Sequence, residues 1–340
     1  MPDSAALETL VHAIGPNGFG LEPQRGLFLF ARPHSGLTAW TSLCGWQPWQ
    51  HHAAAWEAAG HPRIDTPGGT WPWVLALPGK SRDETLATFA TAHDLLENDG
   101  VLVAALANDS GAARFEKELA AAAGAVESIQ KNKCRAFLAR RDHEWDAAKL
   151  AAWRALAAPT PIPDSPFHTV PGVFSAGRVD AGSALLAAHL PPDLHGRVAD
   201  LGAGWGFLAN AVCARCPRVT AIDLYEADAR ALDLARHNPT THGGPALRFH
   251  WHDVTTGIPE PGAFDAVVMN PPFHEGQRTD VSLGGAFLAA AAKALRPGGR
   301  LLMVANRQLP YEEVLIHLGL PPRTLAQDAT YKILAATRTR

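Results

Sequence analysis

Long apolar runs are missing from this chain of 340 residues. Nothing approaches the roughly 20 residues needed to cross a bilayer, so the sequence predicts no membrane-spanning helix. Cysteine is scarce. Cys44, Cys134, Cys213 and Cys216 are too few to staple so long a chain, which fits a reducing compartment. The opening MPDSAALETLVHAIG has no basic segment ahead of an apolar one, so the expected location is cytoplasmic rather than secreted. An excess of positive charge is also lacking: 30 Lys and Arg stand against 33 Asp and Glu, a net charge of −3. Bulk charge therefore gives no signal for nucleic acid, and any such role has to rest on local chemistry.

What is present is an ordinary globular composition at a length that suits two domains. In the second half, short apolar runs alternate with helical patterns. RVADL (197–201), RVTAID (218–223), LRFHW (247–251), FDAVVM (264–269) and RLLMVA (300–305) read as strands. WGFLANAVCAR, EADARALDLARHN and LGGAFLAAAAKAL read as helices between them. Alternation of this kind predicts an α/β fold with a mostly parallel sheet covered on both faces.

The first half echoes this order. WVLALPGKSRDETLATFATAHDLLENDGVLVAALAND (73–109) lines up with 264–308 as strand, Pro-containing turn, Ala/Leu-rich helix, Gly-containing turn and strand. Both halves then close on a strand pair, KNKCRAFLARR in one and ATYKILAATR in the other. The reading is a duplication, two tandem Rossmann-like domains. Residues 1–156 form a degenerate copy, 157–169 a linker around the Pro-rich AAPTPIPDSP, and 170–340 the domain that kept its chemistry.

Two features of the first copy invite a functional reading. Six of ten tryptophans fall between Trp40 and Trp73. Burial in a core or interface accounts for them; base stacking on one of them is the alternative. Lys131, Lys133, Arg135, Arg140 and Arg141 crowd residues 131–141, either as a solvated face or as a grip on phosphates.

Chemistry concentrates in two turns of the second copy. VADLGAGWGFLA (198–209) puts Asp200 at a strand end, then Gly202, Gly204 and Gly206, then a helix. Such glycines permit tight turning and close approach of a ligand to a helix N-terminus. A carboxylate just ahead of them is unwelcome beside a diphosphate but suits a ligand with a cationic end. Asp223 closes the next predicted strand, where a carboxylate can accept from ribose hydroxyls. Asp253 follows a third. The second turn is VVMNPPFHEG (267–276): Pro271 and Pro272 stop both helix and sheet and hold Asn270 extended, so a stiff turn presents an amide and an aromatic ring at a strand end.

Together these residues resemble the class I S-adenosylmethionine-dependent methyltransferases that act on planar amino groups. With PGVFSAGRVDAGSALLAAHLP (171–191) and VANRQLPY (304–311) added, the chain resembles the bacterial ribosomal RNA guanine-N2 methyltransferases, in which an inactive copy of the domain precedes the active one. The small-subunit, 16S-type enzyme is the nearer resemblance. It implies S-adenosylmethionine as cofactor, held by Asp200, Gly202, Gly204, Asp223, Asp253 and Asn270, and ribosomal RNA or a ribosomal subunit as partner. It also implies that Asn270 and the carbonyl of Pro271 accept the N–H groups of the amine while Phe273 stacks on the base. Held this way, a nitrogen whose lone pair is delocalised into the ring becomes pyramidal and its developing positive charge is stabilised. The base must leave its stack to get there. His274, Lys131, Lys133, Arg135 and Arg140 are the further substrate-binding candidates, and the first copy is either an RNA-binding or a supporting unit.

Other readings stay open: the large-subunit 23S enzyme, release-factor glutamine-N5 or adenine-N6 methylation, and a ribosome-assembly factor with a vestigial pocket. A metal is not expected. His250 and His252 share a strand face without a third ligand, and Cys213 with Cys216 has no second pair.

Overall fold

In the computed structural model, residues 2–22, 24–238, 244–272, 274–275, 278–279 and 281–339 are described. They form two compact units. The first comprises helix α1 (Pro2–Ile14), strands β1 (Gly26–Leu29) and β2 (Leu43–Trp46), α2 (Gln50–Ala58), β3 (Arg63–Ile64), β4 (Trp71–Ala76), α3 (Arg82–Leu95), β5 (Leu96–Ala107), α4 (Ala112–Ala123), β6 (Glu127–Lys131), β7 (Cys134–Arg140) and α5 (Ala147–Ala155). Its seven strands lie in the order β3-β2-β1-β4-β5-β7-β6.

The second unit begins with the two-residue strands β8 (Thr160–Pro161) and β9 (His168–Thr169). It continues through α6 (Ala181–Ala188), β10 (His195–Leu201), α7 (Phe207–Arg215), β11 (Arg218–Glu226), α8 (Ala229–His237), β12 (Ala246–Trp251) and β13 (Phe264–Met269). After the short hairpin β14 (His274–Glu275) and β15 (Arg278–Thr279) come α9 (Val281–Ala294), β16 (Leu295–Asn306), α10 (Tyr311–His317), β17 (Pro322–Gln327) and β18 (Tyr331–Thr337). The sheet order is β12-β11-β10-β13-β16-β18-β17, the same permutation as in the first unit. In both, the last hairpin enters antiparallel and the remaining strands are parallel. The duplication read from a partial echo thus extends over the whole topology.

Both faces of the second sheet are buried, as parallel strands require. Ala199, Leu201, Val267, Met269, Leu301 and Met303 point to one side, against Phe287, Leu288 and Tyr311. Val198, Ile222, Leu224, Ala266, Val268 and Leu302 point to the other, against Leu186, Leu208, Val212 and Leu232. Side chains alternate across a strand, so one apolar run feeds two cores. Of the six clustered tryptophans, Trp40, Trp56 and Trp73 are buried in the core, and Trp46, Trp49 and Trp71 are half-buried.

Two expectations are corrected. The stretch 157–169 is not a free linker: Thr160–Thr169 belongs to the second unit, with Ile162 and Phe167 buried and Phe167 packed against Trp205 and Phe207. An apolar residue flanked by prolines was enough to anchor it. Strand β11 also runs three residues past Asp223, through Leu224, Tyr225 and Glu226. That displacement changes the site.

Candidate functional site

Strand register brings the two chemical turns together. Leu201, Tyr225 and Met269 are level with one another at the carboxyl edge of the sheet. One residue beyond them stand Gly202, Glu226 and Asn270. The edge of an open α/β sheet where strands end and helices diverge is where such folds bind ligands.

The glycine turn is held by backbone. The N–H groups of Gly202 and Ala203 donate to the carbonyl of Tyr225, at 2.9 and 3.1 Å. Gly206 begins α7 at φ 91°, and a Cβ there would lie 3.1 Å from that of Ala235, so conformation and space both call for glycine. The N–H of Gly204 donates to Glu226 Oε2 at 2.7 Å, and the N–H of Asp228 to Glu226 Oε1 at 2.8 Å. Glu226 thereby ties the glycine turn to the start of α8. Sequence inspection missed it, because an aspartate inside an apolar run read as a strand end. The signal was the apolar run, which resumes after Asp223 at Leu224 and Tyr225 before it reaches Glu226.

Asp200 is completely buried, and neither carboxylate oxygen makes a well-formed hydrogen bond, the N–H of Ala209 being a nearby backbone donor. Buried acceptors in this condition are rare and call for an explanation. Burial, reinforced by the charge of Glu226, pushes its pKa up to about 7. Glu226 rises to about 7 as well, chiefly through burial and in spite of its backbone donors. Two desolvated carboxylates beside a glycine turn have the chemistry to accept from a cation or from hydroxyl donors.

Asp223 does something else. It is level with Ala199, well inside the sheet, and its side chain has no exposure. Arg197 grips both oxygens, at 2.7 and 2.8 Å, and His250 Nε2 lies 2.9 Å from Oδ1. Arg197 is itself paired with Glu260. Burial alone would raise the Asp223 pKa, but the bonds from Arg197 and His250 outweigh it and hold it below the usual carboxylate range. This side chain is already spoken for, so the ribose assignment at Asp223 is withdrawn. The physical reason is the three-residue extension of β11.

Asp253 caps a 3-10 turn, its Oδ1 accepting from the N–H and hydroxyl of Thr255. Asn270 lies just past β13. Its Nδ2 donates to Asp180 Oδ2 at 2.9 Å and to Ser183 Oγ at 2.8 Å, both on the first turn of α6. Pro271 is buried. Phe273 lies outside the described residues, as does the side chain of His274, whose backbone pairs with Thr279 in the β14–β15 hairpin. Asp180 and Ser183 were also missed. Their signal is an Asp three residues ahead of a Ser at the start of an Ala/Leu run, a helix N-cap.

The first unit shows what loss of this chemistry looks like. Leu29, Trp46 and Ala76 are level there, so Phe30, Gln47 and Leu77 occupy the places of Gly202, Glu226 and Asn270. Gln47 Oε1 still accepts from the N–H two residues on, as Glu226 does. The carboxylates, the glycine and the amide are gone. Its basic segment is a hairpin, with Asn132 and Lys133 both at positive φ in the turn. Arg135 is paired with Glu116 and Arg141 bonds the carbonyl of Leu96, while Arg140 lies 3.7 Å from Glu127. Lys131 and Lys133, exposed at the tip, and the half-exposed Arg140 stay available, so the expected five-residue basic face shrinks to three.

Among the described residues no group of His, Cys, Asp and Glu side chains has the arrangement of a metal site, and no helix is long and apolar enough to cross a membrane.

The fold and this edge of the sheet define a methyltransferase: the profile of the methyltransferase small domain matches residues 164–335. A ribosomal RNA small subunit methyltransferase C from Pseudomonas aeruginosa is 35% identical over 308 residues, 86% of this chain and 89% of its own length. The protein of that name from Hahella chejuensis is 35% identical over 198 residues, 57% of this chain, so that this chain spans about half (56%) of the relative's length. A solved structure of the Thermus thermophilus 16S rRNA N2 G1207 methyltransferase, in complex with AdoMet and guanosine, superimposes with a TM-score of 0.79. It is 25% identical and covers 98% of this chain and 92% of its own. The chain belongs to the ribosomal RNA small subunit methyltransferase C family.

Proposed function

We propose that this protein transfers a methyl group from S-adenosylmethionine to the exocyclic N2 amine of a guanine in 16S ribosomal RNA. The observation that carries the reading is the alignment of Gly202, Glu226 and Asn270 at one sheet edge, above a buried Asp200 whose oxygens make no well-formed hydrogen bond. A buried carboxylate short of donors fits a ligand with a cationic end and donor groups, and the glycine turn leaves its backbone accessible to that ligand. When bound, the cofactor supplies a methyl group made electrophilic by its sulfonium. Asp200 serves its charged end through the turn, Glu226 accepts from the ribose hydroxyls, and Asp253 accepts from the adenine amine.

Asn270 and Pro271 form the amine clamp. Nδ2 is committed to α6, so Oδ1 is the end directed away from it, as an acceptor for an amine N–H. The carbonyl of Pro271 takes the second N–H. Acceptors on both hydrogens favour a pyramidal nitrogen and stabilise its positive charge as the N–C bond forms; the extra proton leaves afterwards, so no strong base is needed. Phe273 is the stacking platform, and His274 borders the same base. Lys131 and Lys133 are the candidate phosphate contacts of the first unit.

Transfer of labelled methyl from S-adenosylmethionine tests this, with unmodified small and large subunits and their free RNAs as acceptors. N2-methylguanosine in small-subunit material is the expected product. Label in the large subunit would move the substrate to 23S RNA; label in protein glutamine or adenine alone would overturn the guanine reading.

A further inference from the structure

An asparagine amide has two ends of nearly equal size and opposite chemistry, and only one of them can serve an amine. With oxygen forward, Asn270 accepts an N–H; with nitrogen forward, it confronts the amine donor to donor. The turn itself does not choose between the two, because Pro271 and Pro272 fix the backbone and not the last torsion of the side chain.

The choice is made from α6. Asp180 Oδ2 stands 2.9 Å from Asn270 Nδ2, and a carboxylate only accepts. Ser183 Oγ takes the other amide hydrogen at 2.8 Å. A flipped Asn270 would set its oxygen against the carboxylate and leave both amide hydrogens without these partners. Asp180 is itself immobilised, since the same Oδ2 accepts from the N–H of Ser183 at 2.8 Å as the N-cap of α6. Ser183 is buried. Between them, Gly182 packs against Tyr331, where a Cβ would meet the ring at 3.1 Å, so this turn of helix has no room to shift. The anionic partner also polarises the amide and makes Oδ1 a stronger acceptor.

We propose that Asp180, supported by Ser183, is a positioning residue for methyl transfer: it locks the Asn270 amide with Oδ1 toward the substrate amine. The proposal rests on the clamp reading of Asn270 and adds a residue that acts through it.

Asp180→Ser separates the two duties of the side chain. Serine is a good N-cap, but it is one bond shorter and withdraws its acceptor from Asn270. Single-turnover rates with small-subunit RNA at saturating S-adenosylmethionine would be compared for wild type, Asp180→Ser, Asn270→Ala and the double variant. Asp180→Ser is expected to slow transfer by about tenfold to a hundredfold, within the range for losing one polar group aimed at developing charge. Cofactor affinity should stay within about twofold, and in the Asn270→Ala background the same change should cost less than about twofold, as for residues acting through one contact. Asp180→Asn, which keeps an acceptor at full reach, should recover most of the rate.

A wild-type rate for Asp180→Ser would overturn the proposal while leaving the clamp intact, provided that Asn270→Ala is slow. An equal loss in both backgrounds would reduce Asp180 to a structural cap and also overturn it. A normal rate for Asn270→Ala would remove the clamp and this inference with it. If Asp180→Ser does not fold, Ser183→Ala, which leaves the cap in place, reads the same coupling through the other amide hydrogen.

Discussion

Replacing Asp223 by alanine should damage the fold and spare the cofactor site. The side chain has no exposure and takes two bonds from Arg197 and one from His250, with Arg248 at 3.4 Å. Removing one partner of a buried ion pair costs about 3–5 kcal/mol. Arg197 is 24% exposed and keeps Glu260, so the lower end applies, about 3 kcal/mol. For a unit of this size 1 kcal/mol moves the midpoint by about 2–4 °C, so the unit holding Asp223 should melt roughly 6–12 °C lower. Calorimetric melting measures that, and titration of S-adenosylmethionine below the transition should find affinity within about threefold of wild type, because Asp223 is already occupied by Arg197 and His250. Glu226→Gln should do the reverse. It keeps an oxygen for Gly204 or Asp228 but loses the charge, and bonds to charged groups contribute about 1.5–3 kcal/mol, so affinity should fall at least about tenfold with melting near neutral pH unchanged or raised. An Asp223→Ala protein that melts normally but no longer binds cofactor would refute the reassignment.

Two further outcomes follow from the site and the hairpin. Asp200 and Glu226 have folded pKa values of about 7 against ordinary values of 3.8 and 4.5. Their contribution to ligand-free stability is full below pH 4 and is lost as pH rises towards 7, since ionisation is then resisted by burial. A cation-ended ligand bound by the ionised pair should therefore bind more tightly from pH 6 to pH 8, with proton release detectable by calorimetry in buffers of different ionisation heat. Flat affinity across that range would contradict the pairing. If the tip of the β6–β7 hairpin grips phosphates, Lys131→Ala with Lys133→Ala should weaken RNA binding and lower the salt slope by about 2; an unchanged slope assigns the first unit to support alone.

Much of the site was legible because its residues carry chemistry that periodicity does not need. Asp200 stands in an apolar strand ahead of glycines, and Asn270 follows one ahead of two prolines, both where the apolar pattern alone does not call for a polar side chain. Asp223 misled because a polar residue in an apolar run looks like a boundary, and only strand pairing reveals that Arg197 and His250 neutralise it inside the sheet. Glu226 and Asp180 were illegible for the opposite reason. Each resembles ordinary turn or cap chemistry, and each gains its meaning from a partner distant in sequence. The basic segment failed likewise, since composition counts charges and cannot see that Glu116 and the Leu96 carbonyl consume two of them.

The resemblance counts Asn270 among the contacts of both cofactor and amine; the proposed function turns on its contact with the amine. The measurement that tests it most directly is the single-turnover rate of Asn270→Ala on small-subunit RNA, taken with its S-adenosylmethionine dissociation constant. Loss of one polar group aimed at developing charge predicts a rate lower by about a hundredfold to a thousandfold, with cofactor affinity nearly unchanged. Turnover at the wild-type rate, or a loss confined to cofactor affinity, would contradict it.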